Sequence, residues 1–380
     1  MTQSIEPFHA ISISRRAYAM ESQGRSILHM EFGQPTCGAP STAIAAAHRV
    51  LDSDAMGYWE SVPLKERIAR SYGERYGVVV SPERIILTCG ASPAFVLALN
   101  CLFAPGDRVA LARPGYVAYR NSLRALHMEP VELACGPDER FQLTARQIAE
   151  MEPAPKGVIL ASPANPTGTV ITPEEFARIA EVCRARGIRL ISDEIYHDLC
   201  YEGEVRSALE FLPDALVVNS FSKYFGMAGW RLGWLVVPED LIDAAYARMG
   251  NLYLTPPSLA QHAALAAYEC IDELEANVEV YRANRRLLLE RLPTMGLSHI
   301  APPDGAFYIY ADISHLTDDS MAFCLRLLED TGVATAPGID FDPVEGHRFM
   351  RLSFAVSTAE VEDALERMAG WFARQTSPSS

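Results

Sequence analysis

The sequence is short of positive charge. Its 33 lysine and arginine residues stand against 48 aspartate and glutamate residues, so the formal net charge of the 380-residue chain is −15 at pH 7. Binding to nucleic acids and to anionic membranes needs a basic surface, which this balance does not provide. We therefore expect no nucleic-acid partner and no membrane partner.

The eight cysteines lack the spacing of a disulfide framework or a metal site. They are scattered singly, without a C-x-x-C motif and without a histidine-rich neighbourhood. This pattern predicts reduced thiols, most of them small core residues, and no metal site.

Long apolar runs are also missing. The longest, residues 91–105, is too short to span a bilayer and is interrupted by Asn100. The first twenty residues mix acidic, basic and polar groups and lack the apolar core of a signal peptide. No G-x-G-x-x-G follows a strand pattern, which argues against a dinucleotide-dependent oxidoreductase. These features favour a cytoplasmic enzyme of another class, with a core large enough for two domains.

What the sequence does contain is an alternation of strand and helix patterns from residue 84 to about 237, with no internal repeat. Sequential βα units predict a mostly parallel sheet with helices on both faces. The strand after Arg231 follows the preceding strand through a loop too short for a helical crossover, so it should be antiparallel. Capping boxes at Thr172/Glu175 and Ser357/Glu360 begin two helices, and residues 257–292 have a long helical pattern.

The main chemical motif lies between two apolar runs in residues 217–237, VVNSFSKYFGMAGWRLGWLVV. Ser220 and Ser222 offer hydroxyl donors, and Arg231 can bind a phosphate through two parallel hydrogen bonds. Lys223 lies near this arginine, and both burial and a neighbouring cation lower the pKa of an amine. The alternative is a solvated loop lysine, which is the commoner situation.

Other candidates follow strand patterns. Gly90, Ala91 and Ser92 join a strand to a helix, where free N–H groups form an anion site, although small residues there also permit tight packing. Asp193 ends an apolar strand, which is where open parallel sheets place ligands. A carboxylate there needs a partner; the alternative is a helix cap.

Together these motifs resemble those of the class I aminotransferases, which are pyridoxal phosphate enzymes of fold type I. The resemblance runs from about residue 30 to 370 and includes, in the family's order, a G-x-P loop at Gly33, N-P-T-G at 165–168, D-E-x-Y at 193–196, S-x-S-K at 220–223 and G-A-F-Y at 305–308. It implies an α/β fold with a mostly parallel seven-stranded sheet, helices on both faces, and a smaller α+β domain. The implied division is an N-terminal arm (1–40), a large cofactor domain (41–275) and a small domain (276–380).

The resemblance also implies roles for individual residues. Lys223 would form a Schiff base with pyridoxal 5′-phosphate, Asp193 would pair with the ring nitrogen, and Asn165 and Tyr196 would bind the ring oxygen. The implied catalytic set is Lys223, Asp193 and Tyr196. The implied cofactor-binding set is Tyr58, Gly90, Ala91, Ser92, Tyr116, Asn165, Asp193, Tyr196, Ser220, Ser222, Lys223 and Arg231. The implied substrate-binding set is Gly33, Asn165 and Arg351, whose planar guanidinium suits an α-carboxylate.

Several positions depart from the family pattern or stay open. Tyr58 matches a tyrosine that reaches across a homodimer interface to the partner's cofactor phosphate, but here the following loop is shorter and Trp59 stands beside it. Tyr116 fits the aromatic residue that stacks on the cofactor ring, with Tyr119 as the alternative. Asp342 replaces a usual glycine. Tyr58, Trp59 and His197 are possible pocket members.

The implied reaction moves an amino group between an L-amino acid and a 2-oxo acid. Carbon–sulfur lyases and racemases share the fold and remain alternatives. A regulatory domain that binds the cofactor without turnover is disfavoured, because the sequence shows no DNA-binding extension and no basic patch. Beyond Arg351, no arginine or lysine has a motif position that would place it against a carboxylate in the substrate side chain. Acidic, aromatic and aliphatic substrates therefore all stay open.

Overall fold

The computed structural model describes residues 5–375, so residues 1–4 and 376–380, at the outer ends of the predicted arm and small domain, lie outside it. The strands are β1 (Leu28–His29), β2 (Ile85–Thr88), β3 (Arg108–Arg113), β4 (Glu129–Ala134), β5 (Gly157–Ala161), β6 (Arg189–Asp193), β7 (Leu216–Ser220), β8 (Gly233–Val236), β9 (Tyr308–Asp312), β10 (Val333–Ala334), β11 (Ala336–Pro337) and β12 (Phe349–Ser353). The helices are α1 (His9–Glu21), α2 (Ser41–Ser53), α3 (Val62–Tyr76), α4 (Ala91–Leu102), α5 (Val117–Ala125), α6 (Ala145–Glu150), α7 (Pro173–Arg186), α8 (Ala208–Phe211), α9 (Ile242–Leu252), α10 (Ser258–Ala267), α11 (Ile271–Arg291), α12 (Ser320–Thr331) and α13 (Thr358–Gln375). Within residues 5–375, no helix combines the length and apolar character needed to cross a membrane.

A seven-stranded sheet forms the centre of the molecule, in the order β2-β8-β7-β6-β5-β3-β4. β8 runs antiparallel to both of its neighbours, and the other strand pairs are parallel. The predicted mostly parallel sheet and its single antiparallel strand are confirmed. The reason is the short connection from β7 to β8, which contains turns and a short 3₁₀ segment but no crossover helix.

Both faces of this sheet are covered. Val217 and Val218 are adjacent on β7 and fully buried, yet they belong to two different apolar cores. Because side chains alternate along a strand, each core lies on its own side of the sheet. The core around Val217 includes α3 and α7 residues, and the core around Val218 includes α4 residues. Helices therefore pack on both faces, as predicted.

A second group of strands comes from the two ends of the chain. β9, β11 and β12 form a three-stranded antiparallel sheet with β12 in the middle. β1 pairs in parallel with β10, so Leu28 lies opposite Val333. The N-terminal segment is thereby fixed against the C-terminal region.

Two helical regions differ from the sequence expectation. α1 forms where no element was predicted, and it buries Ala10, Ile13 and Ala17 among exposed polar side chains. The helical pattern over residues 257–292 is divided into α10 and α11, and the predicted domain boundary at residue 275 falls inside α11.

Candidate active site

A cavity of about 310 Å³ opens beside the carboxyl ends of β6 and β7. Most of the predicted site residues line it, namely Gly33, Ala91, Ser92, Tyr116, Asn165, Asp193, Tyr196, Ser222, Lys223, Arg231 and Arg351. Gly90 and Ser220 lie directly behind this lining, beside Arg231 and Ser222 respectively. Tyr58 is the exception and does not line the cavity of its own chain.

Lys223 lies in the cavity wall just after β7, where its Nζ donates a 2.5 Å hydrogen bond to the carbonyl oxygen of Gly33. Burial, followed by the nearby Arg351 guanidinium, lowers the pKa of this amine to about 8, and the attraction of Asp193 opposes the shift. At neutral pH the amine therefore has a larger uncharged fraction than an ordinary lysine, and this makes it a better nucleophile and base.

Asp193 is the last residue of β6 and is almost fully buried. Its carboxylate accepts hydrogen bonds from the hydroxyl of Tyr119 and from the backbone N–H of Ile195. Burial raises the pKa of Asp193 to about 6, although both hydrogen bonds and Lys223 oppose the shift. A buried carboxylate at this position favours a cationic partner. Tyr116 also lines the cavity and packs edge-on against Tyr119.

Several hydrogen-bond donors meet where α4 begins. The first turn of α4 has no side-chain cap, so its N–H groups are available. Gly90 precedes this turn with φ of +97°, and a Cβ there would lie 2.6 Å from Nη2 of Arg231. A residue with a Cβ would be strained at this φ and would displace the guanidinium of Arg231. Ser220 and Ser222 also lie here, with their hydroxyl oxygens 2.8 Å apart.

Arg351, on β12, is 1% exposed and held in one orientation. Its Nη1 donates to Oδ1 of Asn165 at 2.9 Å, and its Nη2 donates to the carbonyl oxygen of Glu31 at 2.5 Å. The rings of Tyr308 and Phe341 lie 4.5 and 4.6 Å from the guanidinium carbon. Its buried Nε has no hydrogen-bond partner within the described residues. The geometry is that of a preorganised clamp for a carboxylate.

Sequence reasoning did not single out Tyr308 or Phe8. The Tyr308 hydroxyl lies 2.6 Å from the Tyr196 hydroxyl, and a Cβ added to Gly33 would lie 1.9 Å from it. Its place in the G-A-F-Y motif was the available signal. Phe8 lines the cavity from the residue before α1, and no sequence pattern marked it.

The residues that depart from the family pattern lie outside the cavity. Tyr58 is 83% exposed, and Trp59 stacks on His262 at 4.3 Å. His197 is buried behind the sheet end beside the Tyr76 hydroxyl, at 2.7 Å, and burial lowers its pKa to about 3. Asp342 accepts backbone N–H groups of its own turn. Trp59 and His197 are therefore not pocket members in this chain.

Comparison with known proteins identifies the family. The family model for aminotransferase class I and II matches residues 30–368. The valine–pyruvate aminotransferase of Mycobacterium tuberculosis is 47% identical over 98% of this chain and 97% of that protein, and the aspartate aminotransferase of Sulfurisphaera tokodaii is 32% identical over 92% and 90%. A crystal structure of an aminotransferase from Mycobacterium tuberculosis superimposes with a TM-score of 0.96 at 46% identity, with 98% of both chains covered. The aspartate aminotransferase from Thermus thermophilus with maleate gives 0.89 at 33%, over 96% of this chain and 97% of that one.

These relatives are transaminases, which favours amino transfer over the lyase and racemase alternatives. The fold, the gathered motifs and the near-complete coverage agree. The chain belongs to the class I and II aminotransferases and is a transaminase of fold type I.

Proposed function

We propose that this transaminase uses pyridoxal 5′-phosphate and acts on neutral aliphatic L-amino acids, with a 2-oxo acid as the amino acceptor. The observation that carries the proposal is a single cavity that holds Lys223, with its lowered pKa, together with buried Asp193 and clamped Arg351. When bound, the cofactor supplies an aldehyde that condenses with amines and a ring that accepts the electron pair left at the substrate α-carbon.

The residues present fit this cofactor. The buried Asp193 carboxylate suits a protonated ring nitrogen, which would stabilise its charge. Ser222, Arg231 and the free N–H groups of Ala91 and Ser92 suit a phosphate. The other predicted residues would complete the site, with Tyr116 against the ring, Asn165 and Tyr196 at the ring oxygen, and Gly90 and Ser220 beside the phosphate.

Lys223 is the residue suited to move protons. Its pKa of about 8 lies close to physiological pH, where a group can both accept and return a proton efficiently. We assign to its Nζ the removal of the proton from the substrate α-carbon. The Gly33 carbonyl, which accepts its hydrogen bond, keeps the amine at the cavity wall.

Arg351 would orient the substrate through its α-carboxylate. Its guanidinium is already fixed by Asn165 and by the Glu31 carbonyl, so binding orders few additional torsions. Gly33 leaves room for the carboxylate beside Tyr308 because it has no side chain.

The charge distribution supports a neutral substrate side chain. Among the described residues, four charged side chains line the cavity, and each already has a proposed role: Asp193, Lys223, Arg231 and Arg351. The arginines of the adjacent α5 are neutralised, since Arg120 pairs with Glu6 and Glu132 and Arg124 pairs with Glu6. The rest of the wall is uncharged and includes Phe8, Phe32, Phe95, Ala118 and Ser122. The relative that is 47% identical is a valine–pyruvate aminotransferase, which also supports a neutral aliphatic substrate.

A donor screen with pyruvate as acceptor tests this substrate class. We expect kcat/KM for valine to exceed that for aspartate by about a hundredfold, because the distal carboxylate would be desolvated without a partner. Asparagine is the matched control, since it has the shape of aspartate without the charge. A kcat/KM for aspartate equal to or above that for valine would contradict the proposed substrate class.

We also propose a homodimer in which Tyr58 contributes to the partner's phosphate site. Tyr58 is 83% exposed, and Leu51 and Val62 nearby in the chain are exposed as well, at 58% and 59%. A polar tyrosine among exposed apolar side chains suits a protein interface.

For the organisation of the chain, we keep the division into an arm (1–40), a large domain (41–275) and a small domain (276–380). The separate seven-stranded and three-stranded sheets support it. We propose the cytoplasm as the compartment, because all eight cysteines are free thiols, as expected in a reducing environment.

A further inference from the structure

A buried carboxylate lies behind the substrate clamp. Glu31 has no exposed surface, and one of its carboxylate oxygens is 2.8 Å from Nδ1 of His29. Its other oxygen has no hydrogen-bond partner within the described residues. Nε2 of His29 lies 3.3 Å from a carboxylate oxygen of Glu21, and the Tyr18 ring packs on the imidazole at 4.6 Å. The imidazole thus makes a hydrogen bond to the fully buried Glu31, whereas Glu21 is only within ion-pair distance of its Nε2.

The same short segment accepts hydrogen bonds from two of the three cationic side chains that line the cavity. The carbonyl oxygen of Glu31 accepts from Nη2 of Arg351, and the carbonyl oxygen of Gly33 accepts from Nζ of Lys223. The segment is anchored just before Glu31, where Met30 makes backbone hydrogen bonds to Ala334 and Ser353. A shift of the Glu31 side chain would therefore turn the following peptides and move the partners of Arg351 and Lys223.

We propose that His29 is a positioning residue whose protonated form pairs with buried Glu31 and thereby keeps the Glu31 carbonyl against Arg351. Substrate carboxylate affinity then depends on the charge of His29. This inference rests on the proposed role of Arg351 as the carboxylate clamp.

The surroundings favour the protonated imidazole. The hydrogen bond that the imidazole donates to Glu31 raises the pKa of His29 above its ordinary value, burial opposes this, and Glu21 adds to the rise. β10, the strand paired with β1, places only Val333 and Ala334 opposite. A histidine with a raised pKa contributes stabilisation that is complete below its unfolded-state pKa and lost as pH rises through the folded-state pKa.

Two other charged groups share the adjacent surface depression, Glu360 and Arg231. Each has its own partners, since the Glu360 carboxylate accepts from the Ser357 hydroxyl and backbone N–H, and Arg231 donates to carbonyls of Ala228 and Cys89. The pairing of His29 is therefore with Glu31 and Glu21.

The test measures the affinity of the cofactor-loaded enzyme for 3-methylbutanoate, a carboxylate without an amino group, by calorimetry from about pH 6 to about pH 9, which spans histidine titration. In the unmodified enzyme we expect Kd to rise about tenfold across this range, equivalent to about 1.4 kcal/mol. His29→Gln should bind weakly throughout, because buried Glu31 loses its cationic partner. His29→Gln/Glu31→Gln should recover an affinity within about threefold of the enzyme at low pH and lose the added pH dependence, since two amides need no charge.

The double variant retains Lys223 and Asp193. Any effect of their titration on Kd is therefore present in both the double variant and the unmodified enzyme, and it cancels when the two pH profiles are compared. His299→Gln, at an exposed histidine, is the matched control and should leave the pH profile unchanged. Steady-state kinetics with valine should show the same pattern in KM, with kcat altered less than about twofold, because the clamp acts on binding.

The outcomes separate the two proposals. If Arg351→Lys weakens 3-methylbutanoate binding while His29→Gln does not, the His29 inference is wrong and the clamp stands. If Arg351→Lys leaves Kd unchanged, the clamp assignment itself fails. Should His29→Gln not fold, the double variant still decides, because persistence of the full pH dependence in it would overturn the inference.

Discussion

The two central ionisable groups of the cavity are both perturbed toward their uncharged forms. Burial lowers the pKa of Lys223 to about 8 and raises that of Asp193 to about 6. Each charge therefore costs folding stability in the cofactor-free enzyme. Such costs are typical of functional sites, where structure is maintained for chemistry rather than for stability.

Replacement of Lys223 by Met should therefore stabilise the cofactor-free enzyme. We expect the free energy of unfolding at neutral pH to rise by about 1–2 kcal/mol, because the variant no longer buries an ammonium group. A lysine whose pKa is lowered in the folded state destabilises that state most at pH values below the lowered pKa. The stability gained in Lys223→Met should therefore shrink as pH rises from about 8 toward the ordinary pKa of lysine. Denaturant unfolding measures it, and Lys156→Met, at an exposed lysine, serves as the control. A loss of stability in Lys223→Met would contradict the burial cost.

Asp193→Asn should lower turnover much more than cofactor affinity. The amide keeps the shape and can still bond to Tyr119, but it no longer holds a positive charge on the ring nitrogen. We expect kcat to fall at least about a hundredfold, the scale of a lost proton-holding group. Steady-state kinetics and cofactor titration measure the two effects, and an unchanged kcat would remove Asp193 from the proposed role.

Contacts between distant elements decide the shape of the site. Gly33, after β1, touches the hydroxyl of Tyr308 on β9, and Arg351 on β12 bonds to the Glu31 carbonyl. These contacts join segments about three hundred residues apart, and β1 pairing with β10 maintains them. This end of the cavity is thus built from segments near the beginning and the end of the described residues.

Gly33→Ala should disrupt this contact. The new Cβ would lie 1.9 Å from the Tyr308 hydroxyl oxygen, so either the loop or the tyrosine must move. We expect KM for the amino acid to rise about tenfold and stability to fall by about 1–3 kcal/mol, the usual cost of overpacking. Gly33→Ala/Tyr308→Phe should recover part of both losses, because the hydroxyl is the nearest atom. Equal KM values for Gly33→Ala and the unmodified enzyme would show that the contact does not shape the site.

Sequence patterns predicted the elements with strong local signals. The apolar runs that became β5, β6 and β7 are buried on both faces, which makes them recognisable without tertiary information. The Ser357/Glu360 box is complete, but at α7 Thr172 caps the backbone of Glu175 while the Glu175 carboxylate bonds to Ala145 and Arg178. At α7 the Glu175 carboxylate therefore binds the backbone N–H of Ala145, in a distant segment, instead of the local N–H of Thr172.

What the sequence could not predict depends on long-range packing. α1 carries polar residues around a narrow apolar stripe, and it packs against β10, β11 and α12 from the other end of the chain. Asp340 accepts hydrogen bonds from the backbone N–H groups of His9 and Ala10 at its start. Phe8 reaches the cavity for the same reason. Such residues have no motif, because their role depends on where a distant segment packs.

At the scale of the whole molecule, the proposed dimer makes a complementation test possible. If Tyr58 acts across the interface, a hybrid of Lys223→Ala and Tyr58→Phe subunits contains one site with both native residues. We expect Tyr58→Phe alone to weaken phosphate-dependent cofactor affinity about tenfold, the scale of one hydrogen bond to a charged group. The hybrid should show native affinity at half of its sites. If every functional site of the hybrid bound the cofactor as weakly as the Tyr58→Phe enzyme does, the cross-interface role of Tyr58 would be contradicted.

The position of the cofactor bond tests the central claim most directly. The chain has lysine only at residues 65, 156 and 223, so a covalent label has three possible side chains. Treatment of the cofactor-loaded enzyme with borohydride should fix the cofactor through a reduced carbon–nitrogen bond, and peptide mass mapping should find it on Lys223. A label on Lys65 or Lys156, or no label on a catalytically active preparation, would contradict the account.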